Sequence, residues 1–120
     1  MKYVDSKDVT KTDATGAPIF NGQVFVQDLV DKQNIDDINI GLVSFAPGSR
    51  TKMHTHSGEQ ILVGVEGKGI VATAGEEVVA TPGMVFYIPA LEPHWHGATP
   101  DSSFSHYSIH SLKADGLIVE

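Results

Sequence analysis

His54-Thr55-His56-Ser57-Gly58-Glu59-Gln60, framed by Gly48 and Gly67 and followed at once by the apolar run Ile61-Leu62-Val63, is the stretch that organises this chain. Side chains two apart on an extended strand share a face, so His54 and His56 converge on one point there. On a helix the same pair would diverge by roughly 200°, since each residue turns the chain by about 100°. The pair makes chemical sense only where the backbone is extended. Gln60 falls on the same face if the strand is regular, while Glu59 points away; a bulge at Ser57-Gly58 would exchange the two.

Strand signals continue on both sides of this stretch. Upstream, residues 19 to 30 and 38 to 46 read as strands, separated by the polar connection Asp31 to Asp37 and closed by a turn at Pro47-Gly48. Downstream, strands are expected over residues 60–65, 70–73, 78–80, 84–88 and 104–110. Glu66-Gly67-Lys68-Gly69 reads as a hairpin turn, and further turns fall at 74–77, 81–83 and 99–101. No segment sustains a 3.6-residue period with caps. Many short strands with frequent turns predict an all-β sandwich or barrel in one domain, residues 19–120, preceded by a polar arm over residues 1–18. That arm is either a loosely ordered terminus or a strand that adds to a neighbour.

Composition narrows the chemistry. The chain of 120 residues carries 15 acidic and 8 basic side chains, a formal charge of -7. Nucleic acid and anionic membrane surfaces both demand clustered Lys and Arg, so neither is expected as a partner. There is no cysteine, which excludes thiolate metal sites and a cysteine nucleophile. A bound metal must be held by nitrogen and oxygen. No apolar leader and no membrane-length run is visible, making the cytoplasm the expected location.

All six histidines lie beyond residue 53, and they pair at even spacing: His54 with His56, His94 with His96, His106 with His110. Each pair faces one side of an extended chain. Histidines with unrelated structural roles would not be expected to collect in this way.

At this point the residues resemble a known family. Gly48-x5-His54-x-His56-x3-Gln60-x6-Gly67 is similar to the first cupin motif, G-x5-H-x-H-x3,4-E-x6-G, and Gly83-x5-Pro89-x-Leu91-x2-His94-x3-Ala98 to the second, G-x5-P-x-G-x2-H-x3-N. The 15 residues between Gly67 and Gly83 match a short cupin intermotif. The resemblance implies a single-domain cupin β-barrel, a jelly roll or double-stranded β-helix, and a divalent metal held by His54, His56, Gln60 and His94. Three positions depart from the pattern: Gln60 replaces a glutamate, Leu91 a turn glycine and Ala98 an asparagine.

A shell of three imidazoles and one amide contains no anionic ligand, so the ion would keep its full charge and polarise a bound oxygen more strongly. The Gln variant followed by His94-Trp95-His96-Gly97-Ala98 resembles small manganese-dependent hydroxynitrile lyases and cupins associated with carboxymuconolactone decarboxylases. Manganese is the implied cofactor, with Fe, Co, Ni and Zn also admissible. The expected activity is a metal-dependent lyase reaction on a small oxygenated substrate, with His96 or His106 moving a proton. A cupin oxygenase and a non-catalytic binding cupin are the alternatives. Cupins of this kind are commonly homodimers, which is the expected assembly. Trp95 alternates with its flanking histidines and is expected to pack away from the metal.

Overall fold

The computed structural model describes all 120 residues and is nearly all strand. A single 3-10 turn, Ser6–Asp8, precedes thirteen strands: β1 (Thr12–Asp13), β2 (Phe20–Asn21), β3 (Val24–Asp28), β4 (Ile38–Phe45), β5 (Arg50–Thr51), β6 (His54–His56), β7 (Gln60–Gly67), β8 (Gly69–Thr73), β9 (Glu77–Ala80), β10 (Val85–Ile88), β11 (His94–Ala98), β12 (Phe104–Ser111) and β13 (Gly116–Ile118). The expected strand over residues 19–30 is two strands, because the chain turns at Gly22 with φ 93°. A Cβ there would overlap the side chain of Ser49. The strand β13 had no sequence signal.

Two antiparallel sheets face each other. The first runs β1-β3-β4-β12-β7-β10. In the second, β11 is central, with β8 and then β9 on one side, β5 and β6 on the other, and β2 and β13 beyond these. The jelly roll is therefore a sandwich of two ladders and not one continuous hydrogen-bonded cylinder. Within the arm, β1 pairs with β3 of the same chain.

Strand alternation builds the core. On β4 the burial alternates residue by residue, with Asn39, Gly41, Val43 and Phe45 turned inward. Phe45, Phe104, Leu62, Val24, Ala80, Val71 and Ile88 close one contiguous apolar cluster. Burying a Val, Leu, Ile or Phe side chain stabilises by about 1.5–3 kcal/mol, so all of these but Ala80 are costly positions to truncate. His96 and His106 sit directly against this cluster, with ring centroids 5.9 and 5.6 Å from that of Phe45.

The expected hairpin at 66–69 is instead a crossing between sheets. β7 pairs with β12 and β10, whereas β8 pairs with β11 and β9. Gly67 adopts φ 78° and packs against the backbone of Ser103, while Gly69 lies against the Phe104 ring; neither has room for a Cβ. Glycine spacing looks alike in a hairpin and in a sheet-to-sheet corner, and only partner strands tell them apart.

Leu91 is the one non-glycine residue with positive φ, at 69°. It stands where the resembled motif has glycine, and its N–H donates to the His56 carbonyl at 2.8 Å. The strained turn thus braces a histidine strand. A left-handed residue with a Cβ costs about 1–2 kcal/mol, partly offset by the extra unfolded-state entropy of glycine. Leu91 is mostly exposed, so little apolar burial is lost on its replacement. Leu91→Gly is expected to raise the melting temperature by about 2–5 °C, readable by calorimetry; a fall would show that the leucine side chain stabilises the turn.

Candidate metal centre

His54 lies directly across from His94 in the β6–β11 ladder, and the imidazoles of His54, His56 and His94 gather at the inner face of the second sheet. One ligand atom from each lies within 4.8 Å of the others, so the three could hold a metal ion. Ring centroids are 4.8 Å apart for His54 and His56, 4.3 Å for His54 and His94, and 5.2 Å for His56 and His94.

Backbone carbonyls fix the tautomers. His54 Nδ1–H donates to the Lys52 carbonyl at 2.7 Å, and His94 Nδ1–H donates to the Glu92 carbonyl at 2.9 Å. Each Nε2 is then a bare lone pair, the arrangement usual for metal-ligating histidine. In the third, His56, Nδ1 is buried with no partner.

Gln60 reaches the same point from the first sheet. Its Nε2 donates to Ser108 Oγ at 2.8 Å, which turns Oε1 toward His94 Nε2 at 3.1 Å. With the His94 proton on Nδ1, that contact sets two lone pairs against each other. A cation relieves the repulsion: adjacent ligands at bond lengths of about 2.1 Å in octahedral geometry are about 3.0 Å apart. The orphaned nitrogen, the converging lone pairs and the nitrogen–oxygen donor set all fit a divalent ion.

Gln60 points inward and Glu59 outward, but not by strand parity. β6 ends at His56 and β7 begins at Gln60, and these belong to opposite sheets. Ser57, Gly58 and Glu59 carry the chain across the gap, so the two histidines and the glutamine approach from facing layers. Glu59 is exposed, and its carboxylate accepts a hydrogen bond from the Tyr87 hydroxyl.

Behind the triad lies a second buried pair. His106 Nδ1–H donates to the Tyr107 carbonyl at 3.1 Å, leaving its Nε2 to accept from His96 Nδ1–H at 2.9 Å. His96 Nε2 is thereby left as a lone pair with no protein partner. Its ring sits 5.6 Å from that of His54 and 5.9 Å from that of His94. A bulge sets His106 in place: Ser105 pairs with Glu66 but His106 with Gly64, so Val65 is the extra residue. Gly64 in turn packs against the Thr81 carbonyl, with no room for a Cβ. Trp95 faces away from the histidines and is covered by the Arg50 guanidinium 3.6 Å from its ring. Arg50 is thus engaged outside the site.

Burial keeps these imidazoles neutral. It lowers His54, His56 and His106 to about 4, lowers His94, and pushes His96 well down, with neighbouring imidazoles adding to the effect at His54, His56 and His96. Neutral histidines are the form that ligates metal and accepts protons. The unfolded chain binds these protons near pH 6.5, whereas folded His54, His56 and His106 bind theirs only near pH 4 and His94 and His96 are lowered in the same direction. Their contribution to stability is therefore present above about pH 6.5 and is lost as pH falls toward 4. For fully buried His106 this amounts to about 1.4 kcal/mol per pH unit within that window. The melting temperature of the metal-free protein is expected to fall steadily from pH 6.5 to 4; a flat profile would mean that these histidines are not buried neutral.

Comparison with known proteins agrees with this geometry. The family model for the cupin domain matches residues 41–110, a span that holds every histidine and both apolar strands opposite them. The chain is 33% identical over 102 residues to an (R)-mandelonitrile lyase of Granulicella tundricola, covering 84% of this chain and 77% of that protein. A cupin-like protein from Thermotoga maritima superposes with a TM-score of 0.79 at 34% identity, over 92% of this chain and 88% of the other. The polyketide cyclase RemF from Streptomyces resistomycificus shares the fold at a TM-score of 0.84 and 20% identity, over 100% of this chain and 87% of that one. A two-sheet jelly roll, three convergent imidazoles at the motif positions and a family match across more than half the chain lead to one conclusion: this protein belongs to the cupin family.

Proposed function

We propose that this cupin is a metal-dependent lyase of the hydroxynitrile lyase type, cleaving the carbon–carbon bond of a small cyanohydrin. His54, His56, Gln60 and His94 would hold the divalent ion, manganese first among the candidates. The observation that carries the reading is His96 Nε2, an unshared lone pair whose ring lies within 6 Å of the rings of His54 and His94. The likeness to a mandelonitrile lyase supports it.

A divalent ion here supplies Lewis-acid stabilisation of negative charge on a substrate oxygen. His96 Nε2 takes the proton of the cyanohydrin hydroxyl. His106, whose Nε2 accepts from His96 Nδ1–H, holds the ring in the required tautomer and stabilises the imidazolium that forms. As the carbonyl forms, the bond to the nitrile carbon breaks. Cyanide leaves with the electron pair and takes the proton back from His96 as hydrogen cyanide. His106 has both nitrogens engaged and is fully buried, so it acts through His96 and not on substrate.

The test is benzaldehyde release from mandelonitrile by manganese-loaded and metal-free protein. Release only by the loaded protein supports the lyase reading. Equal rates, or none above the uncatalysed background, would overturn it.

The assembly proposed with this function is a homodimer through the outer face of the first sheet. Two apolar rows cross it in register: Leu42, Tyr107, Val63 and Val85 in one, Ile40, Ile109, Ile61 and Tyr87 in the other. A chain of charge -7 repels its own copies, and the eight residues of these rows carry no charge, the Glu59 and Asp5 carboxylates lying at their margins beside Tyr87 and Ile40. The exposed surface of 6937 Å² also exceeds the roughly 6,300 Å² expected for a monomer of this mass. Sedimentation should report twice the 12.9 kDa chain mass, falling to one chain in Val63→Lys; a monomer before substitution would refute the interface.

A further inference from the structure

The Asn39 side chain is an interior polar group to which the proposed lyase chemistry assigns no role. Asn39 on β4 lies directly across from His110 on β12, and His110 directly across from Gln60 on β7. The three make one row over the inner face of the first sheet, and the His110 ring runs parallel to that of His56 at 6.2 Å. His110 Nδ1–H donates to the Ser111 carbonyl at 2.9 Å, which leaves Nε2 as an acceptor. Asn39 Nδ2 is 3.5 Å from that nitrogen, at the limit of a hydrogen bond. Asn39 Oδ1 has no partner, on a side chain only 8% exposed.

Exchanging the amide nitrogen and oxygen does not cure this, because Oδ1 would then face the Nε2 lone pair and Nδ2 would be orphaned. An unpaired buried amide group costs about 1–3 kcal/mol, and a leucine of similar volume would fill the position without that cost. Packing alone gives no reason for an asparagine here. The neighbouring inward position on β4 is Gly41, where a Cβ would meet nothing closer than the Gln27 carbonyl at 3.4 Å. Ser108, across from it, is the only side chain on that row of the two strands.

We infer that Asn39 and His110 form a second polar subsite beside the metal centre, which binds a hydrogen-bond donor of the substrate, a hydroxyl or an amine, beyond the oxygen that meets the metal. Asn39 Oδ1 accepts from the ligand, while the single lone pair of His110 Nε2 faces Asn39 Nδ2–H at 3.5 Å and orients the amide. An ionised carboxylate at that position would set acceptor against acceptor, so the substrate class is a small oxygen ligand with a second, neutral donor group. The inference rests on the metal reading of the preceding subsection.

Cobalt(II)-loaded protein tests it, because visible absorption reports ligand entry without any turnover. Acetohydroxamate and glycolohydroxamate chelate through the same atoms and differ by one added hydroxyl. Glycolohydroxamate is expected to bind about tenfold more tightly, the worth of one hydrogen bond to an otherwise unpaired group. Asn39→Leu, with Asn39→Ala as a second variant, should bring the two ligands to within about twofold by weakening glycolohydroxamate alone, and Asn39→Leu should also raise the melting temperature. Equal affinities in the unsubstituted protein, discrimination that survives both variants, or a lower melting temperature in Asn39→Leu would each overturn the subsite. A chain that takes up no cobalt would overturn the metal reading itself, a result distinct from equal affinities on a loaded site.

Discussion

His96→Ala is expected to leave metal content unchanged and to lower kcat/KM for cyanohydrin cleavage by about 10²–10⁴, the range for removal of a general base. The retained metal follows from geometry: His54 and His94 are held by the Lys52 and Glu92 carbonyls, neither of which involves His96. The loss of rate follows from tautomer. With His106 Nδ1–H bound to the Tyr107 carbonyl, the pair can present only His96 Nε2 to a substrate as a lone pair. His106→Ala should cost less in rate, since the base remains but its ring is no longer oriented. Metal analysis beside steady-state kinetics checks both variants. Unchanged turnover in His96→Ala would remove the proton-transfer role from this residue.

The second large effect is loss of the metal. His54→Ala is expected to reduce bound metal from about one ion per chain to near zero after dialysis, with activity falling in parallel. His54 contributes a preset Nε2 lone pair and stands directly opposite His94, so its removal opens the middle of the donor set. Carbonyls that orient ligand imidazoles are part of what makes such a site bind. Gln60→Ala should be milder, since a neutral amide is the weakest of the four donors and the three imidazoles remain. Full metal retention in His54→Ala, measured by elemental analysis, would refute the proposed ligand set.

Much of the site was legible from spacing. His54 and His56 share a face because both lie within one extended segment, β6, and alternation there needs no tertiary knowledge. Phe104, His106 and Ser108 turn inward together by alternation along β12, while the bulge at Val65 shifts the register of the facing strand β7. Gln60 is the instructive residue. Parity put it on the histidine face, and it does point there, yet it arrives from the other sheet after a three-residue crossing. Trp95 followed alternation outward, while its cover by Arg50 depended on the β5–β11 pairing, which brings Arg50 against Gly97.

Alternation, turn residues and paired histidines sufficed by themselves for an all-β fold and for which strand faces carry the histidines, because a strand's two faces are set by its covalent geometry; the choice of His54, His56, Gln60 and His94 as ligands came from the likeness to the cupin motifs. Strand partnership was not determined in this way. Glycines 67 and 69 signal a tight change of direction, but whether the chain returns along its own ladder or crosses to the facing sheet depends on long-range pairing. The same limit holds for chemistry. Which nitrogen of His96 is free, and which amide oxygen is left unpaired at Asn39, are decided by carbonyls and side chains distant in sequence, and only the folded sandwich brings them within hydrogen-bonding distance.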